Sequence, residues 1–179
     1  MSVQRITGRY AKSLIDLAIE QNKLERILED VQSFKKVSDN RDFYMMIKSP
    51  IVKAGKKQSV IKALFEGKYD ELTMSFLRIL IQKGREPYLI EIADDFIAQY
   101  KKIKQITTVK VTTAKPMSTS ALSTLKTQLQ RSAQTDSNVE IETAVDTDLI
   151  GGFVLEFDGN IYDSSVAHKL EALKRKFRA

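Results

Sequence analysis

Cysteine is absent and histidine occurs once, at His168. Without thiols the chain can have no disulfide framework, no thiolate metal site and no thiol nucleophile, which fits a reducing compartment. Glycine and proline are scarce, at 7 and 3 residues, and 29% of the chain is charged. That balance describes a soluble, helix-rich globular protein. No apolar run approaches the roughly 18 to 20 residues that would cross a bilayer. The first residues, "MSVQRITGRYAK", have no apolar signal core, so secretion is not expected. A membrane is expected to matter only through a partner.

The net charge of +6 is confined to one part of the chain: residues 1–105 hold 20 Lys and Arg against 14 Asp and Glu, and the rest balances at 9 against 9. The cations of the basic part are interspersed with acids. That pattern reads first as a solvated helix surface, with nucleic acid or an acidic partner as the alternatives.

Apolar spacing is helical from residue 3 to 104 and predicts six segments, near 3–20, 23–38, 41–48, 54–66, 70–83 and 87–104. Asp39 or Asn40 is placed to cap the third, which must stop before Pro50 because proline disfavours helical backbone at the preceding residue. Gly67 and Gly84 end the fourth and fifth, and Pro87 suits the opening turn of the sixth. Short connections between six helices imply an antiparallel bundle over 1–105. Near residue 105 the period changes. "ITTVKVTTA" and "VEIETAV" alternate as strands, with a helical segment at 118–134 between them. The second alternates Val139, Ile141, Thr143 and Val145 against Glu140, Glu142 and Ala144. Residues 106–179 therefore form a small α/β domain with a β-hairpin and a terminal helix.

Gly151-Gly152 opens a strand, "FVLEF", rather than a helix, and no Lys-Ser/Thr follows. The pair is thus a bend where a side chain would clash, not a phosphate cradle. Asp158-Gly159 makes the hairpin turn. Asp163, Ser164 or Ser165 caps the last helix, with Asp163 and Ser165 the structural candidates. Phe153 and Val154 fit the aromatic strand motif of RNA-recognition domains, but Gly151 and Glu156 occupy the other aromatic positions. An RNA-binding module remains the alternative reading.

Catalytic constellations are missing. His168 falls off the Val166, Leu170, Leu173, Phe177 stripe of the last helix, as an exposed polar residue would. No serine lies in a nucleophile elbow. Asp94 and Asp95, adjacent on a helix, diverge by about 100°. Asp146 and Asp148 could share a loop, with nothing else pointing to a metal. The stripe on the last helix is narrow and suits packing within its own domain.

Two helices carry more apolar surface than a core requires. A stripe of roughly 100° or somewhat more suffices to face one, and the second segment keeps Leu24, Ile27, Leu28, Val31 and Phe34 within roughly 120°. In the first, Ile6, Tyr10, Ala11, Leu14, Ile15, Leu17, Ala18 and Ile19 spread over roughly 220°. The fifth spreads Leu72, Met74, Phe76, Leu77, Ile79, Leu80 and Ile81 as widely. Either both helices are central in the bundle or one side of each receives a partner helix.

Four stretches carry a resemblance: "RYAKSLIDLAIEQNKLERILEDV" at 9–31, "SPIVKAGKKQSVIKALF" at 49–65, "LIQKGREPYLIEIADDF" at 80–96 and "DLIGGFVLEFDGNIYDSSVAHKLEAL" at 148–173. Together the sequence resembles the delta subunit of bacterial F-type ATP synthase, the counterpart of the mitochondrial oligomycin-sensitivity-conferring protein. Residues 112–137 match least. The resemblance implies a non-catalytic stator subunit without cofactors, at the cytoplasmic face of the bacterial inner membrane through its complex. It also implies that 1–105 sits on the catalytic alpha/beta hexamer and holds an alpha-subunit N-terminal helix between helices 1 and 5. Tyr10, Ala11, Leu14 and Leu17 would then face Phe76, Ile79 and Leu80. Residues 106–179 would meet the C-terminal helices of the b subunits, and no nucleic acid is expected as a partner.

Overall fold

The computed structural model describes residues 3–131, 138–157 and 159–178. Two compact units divide the chain, Met1–Tyr100 and Lys101–Ala179. The first carries α1 (Val3–Glu20), α2 (Leu24–Ser38), α3 (Arg41–Lys48), α4 (Ala54–Phe65) and α5 (Glu71–Gln82). A 3₁₀ turn (Glu86–Tyr88) then leads into α6 (Leu89–Ile103). Pro87 therefore lies in the 3₁₀ turn and not inside the α-helix that follows.

Local chemistry sets these ends. The Asn40 side chain accepts hydrogen bonds from the Asp42 and Phe43 N–H groups, so Asn40 is the residue that caps α3. Ser49, before Pro50, is extended and stops it. At the end of α5, Gly84 takes φ +65°. Its N–H donates to Ile81 O and that of Arg85 to Leu80 O, the paired closure that needs a left-handed residue. Asn22, at φ 55°, closes α1 in the same way.

All six helices contribute to one core, with Leu14 and Ala18 from α1, Ile27 from α2, Phe43 from α3, Phe65 from α4 and Phe96 from α6 among its buried members. Phe34, Phe43 and Phe65 meet in tilted and edge-on pairs at 5.8 to 6.1 Å. This core also contains a lysine. Lys57 is 0% exposed, and its Nζ donates to Ile47 O at 2.8 Å and to Glu86 Oε1 at 3.0 Å. The pair ties α4 to the last turn of α3 and to the 3₁₀ turn. Reading the basic residues of this region as a solvated surface misplaces this one. Its neighbours Lys53 and Lys56 are exposed.

The second unit is built on β1 (Ile106–Thr113), α7 (Thr119–Arg131), β2 (Asn138–Val145), β3 (Phe153–Phe157), β4 (Asn160–Asp163) and α8 (Val166–Arg178). The strands form one mixed sheet in the order β2-β1-β3-β4. β1 and β2 run parallel, which requires the α7 crossover. β3 is antiparallel to β1 and to β4. Val109, Val111, Val139 and Leu155 make its core, closed by Leu129 of α7. The expected apolar face of β2 is covered only at its start, because Val139 is buried while Val145 is 55% exposed.

Candidate partner-binding surfaces

The apolar arc of α1 divides. Ala11, Leu14, Ile15 and Ala18 are buried, whereas Leu17 and Ile19 are 42% and 46% exposed and Tyr10 is half-buried. On α5, Leu77, Leu80 and Ile81 are buried, Ile79 is 49% exposed and Phe76 is half-buried. Of the seven residues assigned to a groove, Ala11, Leu14 and Leu80 therefore present no surface and belong to the core. Tyr10, Leu17, Phe76 and Ile79 are the ones with area to offer. Periodicity placed all seven on apolar arcs but could not divide the arcs. The inner faces meet at an apolar cavity of about 20 Å³, lined by Leu14 of α1 and by Thr73, Phe76 and Leu77 of α5.

A charged cluster fixes where α5 starts. The Asp70 carboxylate accepts from the Leu72 N–H and from Lys23 Nζ at 2.9 Å. Asp30 of α2 is 2% exposed, and its Oδ2 accepts from the Thr73 hydroxyl and the Asp70 N–H, each at 2.8 Å. Arg26 lies 3.4 Å from its other oxygen. Helix capping thus joins α2 to the N-terminus of α5, and charged hydrogen bonds of this kind contribute about 1.5–3 kcal/mol. The signal available in the sequence was Asp70 immediately before an apolar-periodic segment. Asp30 gave none, since it reads as one more acid on a polar face.

The Lys23 ammonium, and after it the Leu72 N–H, hold the Asp70 carboxyl below the usual carboxylate range. In the second unit the Ser165 N–H does the same for Asp163. A carboxyl depressed on folding adds stability that is present above its unfolded pKa of about 3.9 and is lost as the pH falls through the folded value. Urea unfolding of the wild-type chain is therefore expected to show falling stability below about pH 4. Asp70→Asn should lower stability at pH 7 and flatten that fall.

At the other end of the chain, the glycine pair meets the start of α8. Gly152 has φ +75°, and a Cβ there would run into the Ser164 carbonyl oxygen. A Cβ on Gly151 would stand 3.1 Å from Val166 Cγ2. The Val166 N–H donates to Gly151 O at 2.9 Å. Ser165 caps α8, its Oγ accepting from the His168 N–H at 3.1 Å, while Asp163 Oδ1 accepts from the Ser165 N–H at 2.8 Å. Gly159 has φ +76° in the hairpin turn. Asp158, assigned to the same turn, lies outside the described residues.

The expectation that the α8 stripe packs inside its own domain is overturned. Val166, Leu170, Leu173 and Phe177 are 38%, 43%, 50% and 88% exposed. The cause is topological, because α7 supplies Leu125 and Leu129 to the core of this unit and, among the described residues, α8 adds none to it. Spacing shows that a face is apolar, not what covers it.

The family profile described as ATP synthase delta (OSCP) subunit matches residues 6–177. The chain belongs to the ATP synthase delta (OSCP) subunit family. An ATP synthase subunit delta of Cytophaga hutchinsonii is 39% identical over 99% of this chain and 96% of that one. Another, of Salinibacter ruber, is 31% identical over 99% of this chain and 93% of its own length. Among solved structures, a chain of the Toxoplasma gondii mitochondrial ATP synthase hexamer superposes with a TM-score of 0.73. It is 27% identical and covers 97% of each chain.

The delta-family match takes in both units, so Leu17 of α1, Ile79 of α5 and the exposed stripe of α8 all fall within it. Among the described residues of this delta-family chain, no helix is long and apolar enough to cross a membrane. No group of three His, Cys, Asp or Glu could hold a metal ion among them either.

Proposed function

We propose that this chain is the peripheral-stalk, or stator, subunit of an F-type ATP synthase. In that role it links the catalytic alpha/beta hexamer to the b-subunit stalk, so that proton-driven rotation is coupled to ATP synthesis. The observation that carries the reading is the family match over residues 6–177, on a chain whose two units each present large apolar side chains to water. Its part is mechanical rather than catalytic, it needs no cofactor, and it reaches the cytoplasmic face of the inner membrane only through the complex.

In this reading the first unit is the family's six-helix bundle, and it takes an alpha-subunit N-terminal helix on Tyr10, Leu17, Phe76 and Ile79. An apolar helix interface suits sustained torque better than surface ion pairs, each of which contributes only about 0–1 kcal/mol. The second unit takes the C-terminal helices of the b subunits on Val166, Leu170, Leu173 and Phe177. That stripe recurs every three to four residues, the spacing of a helix-packing face.

Calorimetric titration with a peptide of the alpha-subunit N-terminus tests the first interface. Saturable one-to-one binding with a negative heat-capacity change is expected, whereas salt-sensitive binding to single-stranded RNA in its place would overturn the reading. Leu173→Asp tests the second interface. It should leave peptide binding unchanged and reduce capture of a C-terminal segment of the b protein by tenfold or more, the loss of about 1.4 kcal/mol. Undiminished capture would remove α8 from the stalk interface.

A further inference from the structure

The loop between α3 and α4 shows an apolar knob. Ile51 is 89% exposed, and Met45 and Tyr44, one turn before the loop, are 59% and 43% exposed. Single exposed apolar residues are ordinary, but this one stands on a braced support. The Ile51 N–H donates to Ser49 Oγ at 3.3 Å, and Pro50 restricts the backbone between them. Behind the loop the buried Lys57 holds Ile47 O and Glu86, and Lys48 pairs with Glu91 while lying 5.8 Å from the Tyr44 ring centre. Fixing a loop of this kind costs conformational entropy of about 1–2 kcal/mol per residue, and here the result is an isoleucine held out in water.

Along the chain the loop itself carries charge of one sign, and the nearby Glu86 and Glu91 are taken up by Lys57 and Lys48. No acid occurs between Asp42 and Glu66, a stretch holding five lysines, of which Lys53 and Lys56 flank the loop exposed to solvent. Such a surface complements an acidic one with an apolar recess.

We propose that the α3–α4 loop is a second anchoring point on the catalytic hexamer, with Ile51 seated in an apolar recess of an acidic surface and Lys53 and Lys56 on its rim. The inference rests on the stator reading above and adds to it a contact separate from α1 and α5. A single helix seated in a groove can swivel about its own axis, and a stator loaded by torque is held only if a second contact lies off that axis. Two linked contacts also multiply, so that losing either costs far more affinity than it would alone.

The test uses the full-length chain and catalytic hexamer stripped of its own delta protein, with binding followed by surface plasmon resonance across a salt series. Ile51→Asp should leave the melting temperature unchanged, since the side chain is exposed, and weaken binding by at least tenfold. Lys53→Glu with Lys56→Glu should weaken it as well and reduce its salt dependence. Ile79→Asp serves as the control. If Ile79→Asp weakens binding and Ile51→Asp stays within twofold of wild type, the second anchor is wrong and the stator reading stands. If both bind like wild type, both fail. Loss with Ile51→Asp alone, and none with the lysine pair, overturns the acidic partner surface.

Discussion

Ile79→Asp is expected to weaken binding to the catalytic hexamer by roughly a hundredfold or more while leaving the fold intact. The expectation follows from the two sides of α5. Leu77, Leu80 and Ile81 hold the helix to the core, and Ile79 is 49% exposed, so a carboxylate at 79 remains hydrated in the free chain. In the complex the same carboxylate would be desolvated against an apolar helix. An unpaired group at the centre of an interface costs about 2–4 kcal/mol, and each 1.4 kcal/mol is tenfold in affinity. Tyr10→Asp should act in the same direction, but Tyr10 is half-buried and packs against the core, so part of its effect would fall on stability. Binding measured beside the melting temperature separates the two. An Ile79→Asp chain that melts normally and binds normally would remove α5 from the interface with the alpha subunit. Membranes reconstituted with the weakly binding variant should still hydrolyse ATP but lose proton pumping, because the hexamer is no longer held against the rotor.

The largest expected effect on stability comes from Lys57→Met. Lys57 bridges three elements through the Ile47 carbonyl and the Glu86 carboxylate. Its removal leaves Glu86 with 12% of its side chain exposed and no cation beside it. Breaking one member of a buried pair costs about 3–5 kcal/mol, a large share of the roughly 5–15 kcal/mol that holds a domain together. Urea denaturation should show the midpoint lowered by that loss divided by the slope, with the slope itself unchanged. Pairing Lys57→Met with Glu86→Leu should recover most of the loss, because the penalty arises from the uncompensated charge and not from the absence of a salt bridge. If the double variant is as unstable as the single one, the ion pair itself contributes net stability.

Neither Lys57 nor Asp30 was legible in the sequence, and the reason is the same for both. A lysine in "AGKKQSV" and an aspartate in "LEDVQSF" each sit among other charges on a helix; Lys57 does share the line of the buried Ile61 and Phe65, but no local pattern shows the partner that lets a charge turn inward. Glu86 is 29 residues from Lys57, and Thr73 is 43 from Asp30. The exposed stripe of α8 is legible in the sequence as a stripe but not as to its cover, since that depends on α7 having already closed the sheet. The seven residues on the arcs of α1 and α5 show the same division: spacing puts all of them on apolar arcs, and only packing separates Ala11, Leu14 and Leu80 from Tyr10, Leu17, Phe76 and Ile79.

From the amino-acid order alone came the six helical segments, the change of period near residue 105, the order of strands and helices beyond it, and the architectural role of the glycines. Each is governed by chemistry within a turn or two: apolar spacing, a capping side chain, a left-handed glycine, a proline that cannot donate. Tertiary structure alone decided which apolar faces stay exposed, which lysine lies in the core and which acid ties α2 to α5. Those outcomes depend on residues tens of positions apart arriving at the same place, and burial is a property of the neighbour that arrives, not of the residue that waits for it.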